Sequence, residues 1–166
     1  AIILDFSDSN STDEMLNLAN SEYKTNGLKS FYDIEDGTLD LIFSQAVLEH
    51  IRKNEFREML KECNRILKSD GVMSHVIDFK DHLGGGLNNM RFSSKLWEKN
   101  WFAYESGFYT NRIKLSEILS ICDEIGFSVK IIYKNMWKSI PINKKKLAKE
   151  FRFFSSDDLL TSEAHL

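Results

Sequence analysis

Gln45, Glu49 and His50 lie close together at the end of the run "LDLIFSQAVLEHI". Histidine ordinarily titrates near neutrality, so it can take or deliver a proton, while a glutamine amide both donates and accepts hydrogen bonds. His82 supplies a further imidazole just after "VMSHVIDF", with Asp78 and Asp81 beside it. Those two acids and His82 are metal-ligand types. A usable site needs convergent ligands with partners of their own, which spacing alone does not provide. The expectation is therefore a capped loop and no metal. His75 falls inside its apolar run and reads as a packed residue, and His165 lies too near the end to be informative.

Such groups need elements that bring them to one place. "AIILDF" reads as a short buried strand, and "SDSNST" after it is rich in helix-capping residues. "TDEMLNLANSEY" has a helical pattern, with Met15, Leu18 and Ala19 at core spacing, and Tyr23 to Leu28 reads as another strand. "LDLIFS" is the clearest strand. In "NEFREMLKECNRILK", the residues Phe56, Met59, Leu60, Cys63, Ile66 and Leu67 mark one apolar helix face, and Gly71 is placed to cap that helix.

"VMSHVIDF" is another strand, "KDHLGGGLNN" a mobile loop and "SSKLWEKNW" a short helix. "LSEILSICDEIGF" reads as a helix capped by Ser116 and closed by Gly126. "SVKIIYKN" is a strand, and a last helix begins at about Asn143. Alternating strands and helices imply an α/β fold with a mostly parallel sheet. Ligands of such sheets bind outside the carboxyl ends of the strands, which is where Ser44, Gln45, Glu49 and His50 fall.

The 166 residues suit one domain with a single core, and 12 Phe against one Pro argue against disorder. A net charge of −3 gives no basic field for nucleic acid. Lys144 to Lys146 read as a solvated helix start. Cys63 and Cys122 sit among apolar neighbours as buried free thiols, which suits a reducing compartment. No apolar run is long enough to cross a membrane and no targeting segment is evident, so a cytoplasmic location is expected.

Three stretches carry a family resemblance: "DGTLDLIFSQAVLEHI", "LKECNRILKSDGVMSHVIDFKDH" and "YTNRIKLSEILSICDEIGFSV". They resemble the class I S-adenosylmethionine-dependent methyltransferases, in particular the small-molecule methyltransferase domains. "DGTLDLIFSQAVLEHI" is similar to that family's fourth strand and its "LEH" sequel. "LKECNRILKSDGVMSHVIDFKDH" resembles the next helix and its turn into strand five. "YTNRIKLSEILSICDEIGFSV" is similar to the last helix and closing "GF" strand. The likeness runs from Gly37 to Lys134.

The resemblance implies a Rossmann-like methyltransferase sheet with flanking helices, S-adenosylmethionine as cofactor and a small-molecule methyl acceptor. Asp5 would hold the cofactor ribose, although a plain turn acid is the other reading. Thr25 and Asn26 would lie near the adenine, where the family often has an acid and this chain has none. Ser44 and Gln45 would line the cofactor cleft. His50 or His82 would help the acceptor lose a proton, or His50 would hold the loop backbone instead. Tyr109, Asn111 and Arg112, in a "Y-x-N-R" pattern, would meet the acceptor, with Arg112 either binding an acidic group or pairing with Glu117. Residues 83–112, rich in Trp, Phe and Tyr, form either an acceptor-side lid or that lid's own core.

The family's first strand and "GxGxG" loop are expected ahead of Asp5 and are not present in this sequence, and "GGG" at Gly84 to Gly86 is no substitute. "SEAHL" resembles the start of the final antiparallel strand. These features imply an incomplete domain whose enzyme activity in this form is uncertain. A homodimer or a partner segment would complete the sheet. The alternative is a non-catalytic remnant of the fold serving as a protein-interaction domain.

Overall fold

A computed structural model of the protein describes residues 12–166, so "AIILDF" and Asp5 lie outside the described residues. The chain divides into two compact units, residues 1–34 and 35–166. The first contains α1 (Thr12–Leu18). It is followed by a turn at Gly27 (φ 56) and the short α2 (Lys29–Tyr32). Leu18 is exposed, so it is not the core position its spacing suggested. Tyr23 to Leu28 is not a strand: its residues are almost all exposed and run into α2 without a partner strand among the described residues.

The other unit is built on β1 (Leu39–Gln45), α3 (Lys53–Ile66) and β2 (Leu67–Asp78). These precede α4 (Ser94–Trp97), α5 (Asn100–Glu105) and α6 (Leu115–Ile125). Then come β3 (Tyr133–Met136), α7 (Ser156–Leu160) and β4 (Thr161–His165). The sheet order is β1-β2-β4-β3. β1 and β2 pair in parallel, while β4 runs antiparallel to both β2 and β3. The α/β reading holds, but among the described residues only the β1–β2 pairing is parallel. "SEAHL" does form the expected antiparallel strand.

α3 follows its sequence pattern closely: Phe56, Met59, Leu60, Cys63 and Ile66 are buried. It packs against α6, which buries Leu115, Ile118 and Cys122. Burying side chains of this size stabilises by roughly 1.5–3 kcal/mol each. A separate cluster of Leu87, Met90, Leu147, Phe151 and Leu159 anchors the connections after β2.

Several local expectations are corrected. α3 passes straight into extended backbone at Leu67, so Gly71 is not its left-handed cap. Gly71 instead lies in β2, within an irregularity that sets Leu39 opposite Leu67 but Leu41 opposite Val72. Ser116 does not cap α6. The Glu117 carboxylate accepts from the Lys114 amide at 3.0 Å, while Ser116 donates through its amide and hydroxyl to Asp158. Gly126 does close that helix, at φ 103.

The strand expected over "SVKIIYKN" begins only at Tyr133. The helix expected from Asn143 is instead two single turns of 3-10 helix, Lys144–Lys146 and Lys149–Phe151, before α7.

Candidate active site

The parallel pair β1–β2 carries the site at its carboxyl end. Ser44 lies opposite His75 and Gln45 opposite Val76. Ala46 then takes a positive φ of 52, a conformation that costs a residue with a Cβ, and its amide still donates to the Val76 carbonyl at 2.9 Å. The chain swings from there into the 3-10 turn Leu48–His50. Leu48 and Glu49 point inward and are buried, while His50 is exposed.

His50 and His82 meet, with ring centroids 5.0 Å apart and planes tilted by 53°. The His50 Nδ1 lies 3.1 Å from the Tyr109 carbonyl. A carbonyl only accepts, so Nδ1 is the donor, and in the neutral form of the ring the lone pair is on Nε2. This arrangement orients the ring and leaves a basic nitrogen free. His82 is exposed and follows Asp81, a buried residue that shapes the glycine turn. The Asp81 carboxylate accepts from the Leu83 amide at 2.8 Å and from the Asn88 amide, and its own amide donates to the Gly86 carbonyl at 2.9 Å. Gly84 to Gly86 thus form a turn organised by one carboxylate.

Tyr109, Asn111 and Arg112 converge on the same region from the opposite side. Asn111 donates through its side chain to the Leu48 and Ile51 carbonyls at 2.7 and 3.0 Å, and its amide reaches the Glu49 carbonyl at 2.7 Å. Tyr109 is buried; its hydroxyl donates to Glu98 at 2.8 Å, and burial pushes its pKa up to about 12. Arg112 is 5% exposed at φ 62 and donates to the Phe92 carbonyl at 2.7 Å. Its acidic neighbour is Glu98, at 3.6 Å, rather than Glu117. Burial lowers its pKa to about 10, still well above neutrality. The guanidinium lies 5.0 Å from the Trp97 ring centre and 4.7 Å from that of Phe151. Asn111 thus holds the turn that carries His50, while the Arg112 guanidinium is spent on the 89–94 segment and Glu98.

The aromatic segment divides in two. Trp97 is fully buried and donates to the Thr110 carbonyl at 2.7 Å, with Phe102 4.5 Å away centre to centre. Trp101 and Tyr104 are exposed, and Arg52 lies over Tyr104 at 5.2 Å.

Two ionisable residues prove to be buried: Glu49, which the sequence placed beside the site, and Lys114, which it did not single out. Glu49, 5% exposed, has a carboxylate oxygen without a hydrogen-bond partner among the described residues, and burial, before any other influence, raises its pKa. Lys114, 1% exposed, is lowered to about 8, chiefly by burial and against the pull of Asp158, Glu117 and Asp81. The signal for Lys114 was available: it stands directly ahead of an apolar helix face, where its stem is drawn inward.

Residues 6–74 match a family model described as Methyltransferase domain. Among solved structures, the chain is similar to a SAM dependent methyltransferase from Archaeoglobus fulgidus. The identity is 13% and the TM-score 0.50, over 93% of this chain and 71% of that one. The chain shares the fold of that methyltransferase. The family model covers less than half of the chain, and the structural likeness at this identity is a likeness of fold. No curated protein matches the chain.

A methyltransferase fold would place S-adenosylmethionine at the carboxyl ends of the strands, and Gln45 is the residue that would meet it there. That side chain is exposed at the end of β1, beside the strained Ala46. The Ser44 hydroxyl is already engaged, 2.8 Å from the His75 Nδ1. Thr25 and Asn26 are exposed in the first unit, where the Asn26 amide donates to the Ser30 hydroxyl at 3.1 Å. Among the described residues no group of three or more His, Cys, Asp or Glu could hold a metal, and no helix is long and apolar enough to cross a membrane.

Proposed function

We propose that this chain is an S-adenosylmethionine-dependent methyltransferase domain acting on a small molecule, with His50 as the proton acceptor. The observation that carries the reading is the pairing of His50 with His82 while the Tyr109 carbonyl fixes the His50 tautomer. When bound, the cofactor supplies an electrophilic methyl group. Gln45 would hydrogen-bond it at the end of β1, and Asp5 would hold its ribose.

The protein's part is to orient the acceptor and remove its proton, which suits a hydroxyl, an amine or an acidic carbon. His50 Nε2 would take that proton, and His82 would lie beside the resulting imidazolium. Asn111 and Tyr109 hold the turn in place while this happens. Trp101 and Tyr104, exposed in the 83–112 segment, would cover an apolar part of the acceptor.

Titration calorimetry of S-adenosylhomocysteine into the protein and its Gln45→Ala and Asp5→Ala variants tests the reading. Micromolar binding weakened in both variants is expected. A folded protein that does not bind would overturn it.

A further inference from the structure

Away from the histidine pair, a cleft of about 760 Å³ opens within residues 35–166 between α3, α6 and the adjoining face of β2. Its size is that of a small-molecule site. Leu60, Leu67, Ile118, Phe127 and Val129 give it apolar walls. Among the described residues no Asp or Glu side chain lines it; its charged side chains are Lys68 and Lys130. Lys68 is paired with Asp40 at 2.5 Å, whereas Lys130 is exposed at the rim.

Within the lining, His75 is 5% exposed, and its Nε2 is buried without a hydrogen-bond partner among the described residues. Its Nδ1 is 2.8 Å from the Ser44 hydroxyl. With that hydroxyl donating to Nδ1, Nε2 carries a proton and is a donor lacking an acceptor. Buried donors are rarely left so, and each is a place to search for a ligand.

We propose that this cleft binds an aliphatic carboxylate. The chain lies along the Leu60, Ile118 and Val129 walls, and the carboxylate accepts from His75 Nε2. The absence of acidic side chains and the lysine at the rim favour an anionic end over a cationic one. The apolar walls favour an unbranched hydrocarbon body over a polar metabolite. The site uses neither Gln45 nor His50, so it stands or falls apart from the methyl-transfer reading.

Titration calorimetry with dodecanoate and dodecanol, both below their micellar concentrations, tests the proposal on the intact chain. The protein should bind dodecanoate about tenfold more tightly than dodecanol, the contribution expected of a charge-assisted hydrogen bond. His75→Phe should abolish that preference while still binding the alcohol. Val129→Trp, which fills the cleft without touching His75, should weaken both ligands. Equal affinity for the two ligands in the unaltered protein would overturn the carboxylate assignment. Dodecanoate binding unchanged by Val129→Trp would overturn the cleft itself, as would no binding by a protein shown to be folded.

Discussion

The side-chain amide of Asn111 donates to the carbonyls of Leu48 and Ile51, at 2.7 and 3.0 Å, and so ties the turn that presents His50 to the segment before α6. Its own Oδ1 accepts from the Ile113 amide at 3.0 Å. Asn111→Leu keeps the bulk and removes every one of these bonds. It is expected to destabilise the protein by about 1–3 kcal/mol, the cost of leaving buried carbonyls unpaired. It should also broaden the His50 ring resonances by freeing the turn. Urea unfolding with proton NMR checks both. Sharp, unshifted His50 resonances would show that Asn111 does not position the turn.

His75 predicts a pH dependence. Burial, helped by the nearby His165, lowers its pKa from 6.5 to about 4. Between those values the unfolded chain binds the proton and the folded chain does not. Stability from this group is therefore complete above pH 6.5 and is lost as pH falls towards 4. At about 1.4 kcal/mol per unit, the full loss is about 3 kcal/mol. Urea unfolding of the protein and of His75→Phe at pH 7 and at pH 4.5 checks this. The variant should lose distinctly less stability on acidification.

Glu49 should act in the opposite sense. Its carboxyl is raised above 4.5, first by burial. Above that value the folded state holds a proton that the unfolded state has released, so stability falls as pH rises through this window. Glu49→Gln keeps the shape and cannot ionise. It should flatten the decline, leaving the variant relatively more stable at pH 8 than at pH 5 when compared with the unaltered protein. Parallel curves for the two proteins would rule the effect out.

What the sequence made legible divides along physical lines. α3 and β1 could be read because one period dominates each, and Gly126 because a single residue closes a long apolar face. The stretch after Pro141 misled for a specific reason. Leu147 and Phe151 are both buried at helical spacing, yet Ala148 between them is extended (ψ 151) and donates its amide to the Met90 carbonyl at 2.9 Å. A tertiary hydrogen bond wins there over the helix that spacing suggested. His50 and His82 were each legible as imidazoles past a strand end, but their contact depends on the turn that Asp81 organises. Arg112 and Tyr109 were legible as polar residues near the site; that their polar atoms face inward could be seen only once the packing of Trp97 and Glu98 was known.

Gly71 gives the last prediction, because its role is close approach rather than a positive φ. A Cβ built there would lie 2.7 Å and 2.9 Å from the Leu67 Cγ and Cδ1, and 3.0 Å from the Leu39 carbonyl oxygen. The leucine end can rotate aside, but the Leu39 backbone is fixed by its pairing with Leu67. Gly71→Ala should therefore push the start of β1 away from β2 and cost about 1–3 kcal/mol, as overpacking does. Gly85→Ala is the control. No atom lies within 4 Å of its Cβ position, although its φ of 73 still carries a backbone penalty of about 1 kcal/mol. Thermal unfolding of the two variants separates the causes. If Gly71→Ala costs no more than Gly85→Ala, the crowding at the β1–β2 irregularity does not limit stability.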